Sequence, residues 1–321
     1  MSRALIVGAN GQDGRILYDW LRDNGCAVLG LARDSMRSTE ACVPDRIDIA
    51  DRSQVRGLFA HWRPDRVYYL AAYHHSSQDK VGSDTIDLFE RSYAVHVRGL
   101  LHFLEAIKEV SPATRLFYAA SSLVFGEATA EMQDEVTPLI PRCIYGITKT
   151  SGLQCCRFYR ETHGVFAAAG ILYNHESIYR QEKFVSQKII RAAIEIAAGK
   201  REKLTLGDVS ARVDWGYAPD FVEAMVKILA LPEPRDFIVA TGEAHTVGEF
   251  VEIVFGQLGL DWKAHVEVNT SVLQRKRSPL IGDASRLRSA TGWRPSVTFR
   301  GMVEQLVESS RIAADQSDCQ K

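Results

Sequence analysis

Ala4-Leu5-Ile6-Val7-Gly8-Ala9-Asn10-Gly11-Gln12-Asp13-Gly14 carries the strongest sign of fold class in the chain. A short apolar run ends in three glycines spaced three apart, and residues 14–24 then carry apolar side chains at three-to-four spacing, as a helix does. Glycine lets the backbone turn sharply and come within contact of a pyrophosphate, which then rests on the positive end of the helix. The glycines alone are a weak signal. Strand, glycine turn and helix in that order make it specific.

Downstream of this turn, short apolar runs at 27–31, 67–71, 116–120 and 165–172 read as strands like 4–7, and the segments 14–24, 53–62, 95–110 and 145–162 between them read as helices. That alternation predicts an α/β fold, a doubly wound parallel (Rossmann) sheet spanning 1–172, whose ligands sit at the carboxyl ends of the strands. Beyond 172 the texture turns to helices at 184–198 and 246–258 around a strand-like 237–240. A smaller, mostly helical substrate-binding domain over 173–312 is expected, interleaved with the first because 214–240 returns to the sheet. The polar end, 313–321, is expected to be disordered.

The chain has 321 residues, with 39 Lys+Arg against 40 Asp+Glu, a net charge of −1. There is no global field to draw nucleic acid or an anionic membrane, so an anionic ligand must be caught locally. No apolar stretch is long enough to span a bilayer. The start lacks the charged, apolar and cleavage-site order of a secretory signal, which predicts a cytoplasmic protein. The six cysteines show no metal-type spacing, and no metal is expected.

The second strand runs into Ala32-Arg33-Asp34, where an NAD-binding fold places an acid for the ribose hydroxyls. Ala32 cannot fill that role, and Arg33, with Arg37 nearby, suits a 2′-phosphate and favours NADP; Asp34 leaves NAD open. Solvated loop charge is the competing reading of Arg33 and Arg37. Ile47-Asp48-Ile49, after what should be the third strand, offers an acid for the adenine amino group, with surface capping as its alternative.

Tyr145 and Lys149 stand four residues apart, on one face of a helix. The ammonium is expected to lower the phenol pKa so that Tyr145 serves as a general base near neutral pH. Ser121, 24 residues upstream at a strand end, supplies a hydroxyl for the same reacting oxygen.

From about residue 4 to 308 the chain resembles the extended short-chain dehydrogenase/reductase family, and within it the GDP-mannose 4,6-dehydratase branch. The resemblance rests on residues 8–14, Leu70-Ala71-Ala72, Tyr145 with Lys149, Gly170-Ile171-Leu172-Tyr173-Asn174-His175-Glu176-Ser177, Phe184-Val185-Ser186-Gln187-Lys188-Ile189, Asp214-Trp215-Gly216, and Gly282-Asp283 with Gly292-Trp293. It implies a nucleotide-sugar enzyme that oxidises C4 of a GDP-linked hexose with NADP. It further implies cofactor contacts at Gly8, Gly11, Gln12, Asp13, Gly14, Arg33, Asp48, Ile49, Leu70, Ala71, Ala72, Tyr145, Lys149 and His175. Asn174 and Lys188 would hold the sugar diphosphate or base, and the assembly would be a homodimer or homotetramer paired through helices like 95–110 and 145–162.

The departures are informative. Where the branch reads S-T-S-E-L-Y-G, with a Glu that removes the C5 proton, this chain reads Ala120-Ser121-Ser122-Leu123-Val124-Phe125-Gly126. Leu123 moves no proton, and elimination of water should lose about 10²–10⁴-fold unless His75, His74 or Glu127 substitutes. Val213 replaces the arginine of K-R-D-W-G, leaving Arg212 for the diphosphate. Ile178-Tyr179-Arg180-Gln181 replaces P-R-R-G, His96 stands at an Asp or Asn position, and Arg275-Lys276-Arg277 is either a phosphate clamp or a solvated charge run. The expected activity is NADP(H)-linked chemistry at sugar C4 by Ser121, Tyr145 and Lys149, as dehydrogenase, keto reductase or epimerase. Dehydration with a substitute base is the alternative, and a catalytically silent NADP-binding regulator a remote one.

Overall fold

The computed structural model describes residues 2–33, 35–40, 46–73, 84–128, 130–269 and 279–318. Strand β1 (Arg3–Val7) leads through the glycine turn into α1 (Gln12–Asp23), and β2 (Ala27–Leu31) and β3 (Met36–Ser38) follow. Next come α2 (Arg52–Trp62), β4 (Arg66–Tyr69), α3 (Thr85–Tyr93), a π-helical turn (Ala94–Gly99), α4 (Leu100–Val110) and β5 (Arg115–Ser121). After a 3₁₀ turn (Ser122–Val124), α5 (Ile144–His163) and β6 (Ala167–Leu172) complete the first half. The large sheet has the order β10-β6-β5-β4-β1-β2-β3, where β10 is Asp236–Val239; all pairings are parallel except β2 with β3. The chain reverses direction across the sheet between β1 and β4, so the cleft opens at the carboxyl ends of these two strands.

The parallel strands of this sheet are buried on both faces because helices cover both, which is why strands such as β1, β2 and β6 read as unbroken apolar runs. One core fills the space between the sheet and its helices, including Leu17, Phe103, Leu153 and Phe221. The remaining elements are β7 (Asn174–Glu176), α6 (Val185–Ala197), β8 (Leu204–Leu206), β9 (Arg212–Tyr217), α7 (Ala218–Ala230), β11 (Ala244–Thr246), α8 (Val247–Gln257), α9 (Trp262–His265), β12 (Val266–Val268), α10 (Ser285–Thr291) and α11 (Phe299–Asp318). A second core joins α6, α8 and α11 around Ile189, Trp215, Phe250 and Val303. Within the span 214–240, α7 and β10 lie with the large sheet, whereas β9 pairs with β7 and β11 in a small sheet of its own.

Three expectations differ from what is observed. The strand beyond β2 is Met36–Ser38 and antiparallel, while Ile47-Asp48-Ile49 lies in a loop. Turn chemistry explains the loop: Asp48 accepts from the Ala50 N–H at 2.9 Å, and Asp51 caps α2 through the Ser53 and Gln54 N–H groups. The helix expected at 95–110 begins at 85 and changes winding at 94–99. At the end of the chain, 313–318 continues α11 instead of being disordered, with Ala313 and Ala314 as strong helix formers.

Candidate active site

At the cofactor end, Gly8 has φ 99°, and a Cβ there would stand 2.8 Å from the Ala71 nitrogen. A Cβ on Gly14 would stand 2.3 Å from the Gly8 carbonyl oxygen. Glycine is therefore required at both places, one for its backbone angle and one for close packing of helix on strand. Gly11 caps α1 without a side-chain bond, which leaves the first N–H groups of the helix without a capping side chain among the described residues. Leu70, half-buried, continues from β4 by donating its N–H to the Val7 carbonyl, Ala71 faces Gly8, and Ala72 is exposed.

Gln12, Asp13 and His175 are brought together, and chiefly with one another. His175 Nε2 lies 3.0 Å from both Asp13 carboxylate oxygens, and its Nδ1 lies 2.6 Å from the Tyr173 carbonyl. Made simultaneously, these contacts use both ring N–H groups, that is, the imidazolium. Gln12 donates to the His175 carbonyl at 3.0 Å and accepts from Ser177 Oγ at 3.0 Å, while Phe221 stacks on the His175 ring at 4.4 Å. Burial works to raise the Asp13 pKa, but His175, Gln12 and Arg180 together outweigh it and the carboxyl is held below its usual value. The pair balances the carboxylate in the first turn of α1, leaving the helix end attractive to an anion.

The reacting end is built from β5 and α5. Ser121 terminates β5, and its Oγ accepts from the Leu123 N–H at 3.3 Å, capping the 3₁₀ turn. That turn packs on the start of α5, where a Cβ on Gly146 would fall 2.4 Å from the Leu123 carbonyl oxygen. Tyr145 is half-buried in the first turn of α5. Lys149 is buried, donates from Nζ to the Ala119 carbonyl at 2.7 Å, and stands 5.7 Å from the centroid of the Tyr145 ring. Burial lowers the Lys149 pKa to about 7, with Asp13 opposing the shift.

The expectation that Lys149 depresses the Tyr145 pKa is not met in the protein alone. Burial pushes the phenol up, and the cation that pulls it back is Arg180. Sequence reasoning missed Arg180 as a functional residue because its loop reads as a departure from P-R-R-G; the cation itself was the signal. Its guanidinium sits 3.6 Å from the centroid of the Phe184 ring, and its Nε is buried without a hydrogen bond, 3.5 Å from Glu176. The end of α1 capped by Gly11 and the space kept open by Gly8 and Gly14 fit an anionic dinucleotide.

The other candidates are more dispersed. Arg33 is exposed beyond β2, and Arg37 lies on β3 with its guanidinium 5.1 Å from the Tyr18 ring centroid. Asp48 is exposed and caps its own loop, while Ile49 is half-buried and its carbonyl lies 2.9 Å from His102 Nδ1. Asn174 is exposed on β7 opposite Trp215, Lys188 is half-buried on α6, and Arg212 is exposed at the start of β9. Val213 turns the other way, into the second core. Glu127 is exposed and paired with Arg142 at 3.3 Å. His74, His75, Asp34 and Arg275, Lys276 and Arg277 lie outside the described residues. Among the described residues no group of three or more side chains gathers to hold a metal, and no helix is long and apolar enough to cross a membrane.

Residues 5–306 match the family model described as GDP-mannose 4,6 dehydratase. GDP-mannose 4,6 dehydratase 1 of Arabidopsis thaliana is 37% identical over 326 residues, covering 95% of this chain and 88% of that protein. Among solved structures, RMD from Pseudomonas aeruginosa complexed with NADPH has a TM-score of 0.81 at 20% identity, covering 98% of this chain and 100% of that one. UDP-glucose 4-epimerase of Thermus thermophilus, complexed with NAD, has a TM-score of 0.77 at 24% identity, covering 96% of this chain and 99% of that one. The two solved structures share the fold with this chain.

Proposed function

Because the chain belongs to the GDP-mannose 4,6-dehydratase family, whose members are enzymes, we propose that it is an NADP(H)-linked oxidoreductase acting at C4 of a nucleotide-activated sugar, GDP-linked by kinship. The observation that carries the reading is the packing of the Ser121 turn onto the helix end that bears Tyr145 and Lys149. Tyr145 takes or gives the C4 hydroxyl proton, Ser121 Oγ bonds the same oxygen, Arg180 tunes the phenol, and Lys149 holds the ribose. Gly8, Gly11, Gly14, Leu70, Ala71, Ala72, Lys149 and His175 would hold the dinucleotide, with Arg33 on its 2′-phosphate. When bound, the nicotinamide supplies the acceptor or donor of the C4 hydride. These steps suffice for a 4-dehydrogenase, a 4-keto reductase or a 4-epimerase.

A 4,6-dehydration by a substitute base is the second reading, favoured by family membership. Against it stands Leu123, which offers its carbonyl to the start of α5 and no acid or base to a substrate. The test is absorbance of the reduced nicotinamide with GDP-hexoses, protiated and deuterated at C4. A slower rate with the deuterated sugar supports oxidation at C4, and no response to any nucleotide sugar in either redox direction counts against it.

We further infer pairing with a second copy through α3 and α5, which pack side by side. Ile86, Phe89 and Tyr93 are exposed on one face of α3, and Ile147 and Phe158 on one face of α5. The apolar residues of α4 are turned into the core instead. Light scattering should report a multiple of the chain mass.

A further inference from the structure

The helical rod from 85 to 110 widens into a π-helical turn at Ala94–Gly99, beside the start of α5. Such turns recur at functional positions because they rotate one side chain out of the regular helical order. Here the cause is local. The buried Tyr69 hydroxyl donates to the Val95 carbonyl at 2.6 Å, and Gly99 leaves the room that hydroxyl needs, since a Cβ there would fall 2.5 Å from it. The residue presented to the interior is His96, which is fully buried.

Its two ring nitrogens have distinct roles. The Tyr73 backbone N–H donates to Nε2 at 2.9 Å, so Nε2 keeps its lone pair. Nδ1 lies 2.8 Å from Thr148 Oγ1, whose own proton is directed to the Ile144 carbonyl at 2.9 Å. The hydroxyl therefore accepts from the ring, and Nδ1 carries the proton. The ring meets that of Tyr145 edge to face, with centroids 5.1 Å apart and planes at 85°. Another polar group from a neighbouring element is the Tyr118 hydroxyl, 3.5 Å from the His96 carbonyl.

We propose that His96 is a positioning residue for Tyr145. In its neutral form, protonated on Nδ1, it braces the chain leaving β4 at Tyr73 against Thr148 in the second turn of α5, and it fixes the Tyr145 ring without placing a charge beside the phenol. The proposal rests on the reading of Tyr145 as the proton-transferring group. An aspartate here, as in the resembled branch, accepts from Tyr73 but has no proton for Thr148 when ionised, and it sets a negative charge near the phenol. An amide can make both bonds and carries no charge.

The test uses the full chain labelled with ¹⁵N in histidine. At pH 7.5 the His96 signal, assigned by its loss in His96→Gln, is expected to show a protonated Nδ1 and an unprotonated Nε2. An imidazolium, or a proton on Nε2, overturns the proposal. Turnover then separates positioning from folding. His96→Leu should lower kcat by about 10–100-fold with KM within about twofold, as a displaced reacting group does, and His96→Gln should recover most of it. His96→Asp should move the rising limb of the pH–rate profile to higher pH. Equal kcat in wild type and His96→Leu overturns the proposal as well. If the wild-type protein turns over no nucleotide sugar, the functional reading fails, and the imidazole signal still decides the state of His96.

Discussion

The two ends of the cleft are built differently. At the glycine turn, each residue singled out is held by another: Gly14 by the Gly8 carbonyl it abuts, Asp13 by His175, Gln12 by Ser177. At the opposite end, Ser121 and Leu123 meet backbone, Tyr145 lies edge to face with the His96 ring, and Leu123 contributes a carbonyl to packing and nothing to proton transfer. The contrast separates what any nucleotide-binding sheet needs from what a particular reaction needs. The first end is closed by geometry that tolerates little change, and the second varies with one side chain.

Substitutions at each end put that contrast at risk. Tyr145→Phe should have the largest effect, a fall in kcat of about 10²–10⁴-fold with the thermal midpoint little changed; a variant that keeps full activity would remove Tyr145 from the chemistry. Lys149→Met comes next, as a gain in stability. Burial lowers the folded-state pKa to about 7. Between that pH and the ordinary lysine range the unfolded chain binds the extra proton, so wild-type stability rises with pH through the window. The advantage of methionine should be several kcal/mol below pH 7, fading towards pH 10, as measured by urea unfolding across pH. A flat difference would show that the ammonium is not buried.

Gly14→Ala should cost about 1–3 kcal/mol by overpacking, together with loss of dinucleotide binding measured by calorimetry. Asp13→Asn should have the smallest effect, about 1 kcal/mol at pH 7. Because the Asp13 pKa is lowered in the folded state, the wild-type advantage is present above the ordinary carboxylate range and disappears as pH falls through the lowered value. Wild type and variant that unfold alike at pH 7 would show that the pair with His175 contributes nothing.

Much of the first region is readable along the chain because its determinants are local. The run 4–7 is followed at once by the glycines, and β2 at Ala27–Leu31 is a continuous apolar stretch between turn residues. What is not readable, at both ends, depends on contacts across the chain. Nothing near Asp13 in sequence announces His175, 162 residues on, and nothing near His96 announces Thr148, 52 residues on. Short strands such as β7, β9 and β11 escape notice because three to six residues hold too few alternations to declare a period. At Ile47-Asp48-Ile49 the sequence leaves two readings open, an adenine contact and surface capping, and the second is what Asp48 and Asp51 do, as turn and helix cap.

If Leu123 leaves the site without the proton-moving side chain that expelling water requires, the protein should oxidise or reduce C4 and leave the C6 hydroxyl in place. Mass spectrometry of the nucleotide sugar, after incubation of GDP-mannose and related GDP-hexoses with the protein and NADP⁺ or NADPH, reads this outcome directly. Loss or gain of two hydrogens, or an unchanged mass with altered retention, is expected; a product lighter by one water would overturn it.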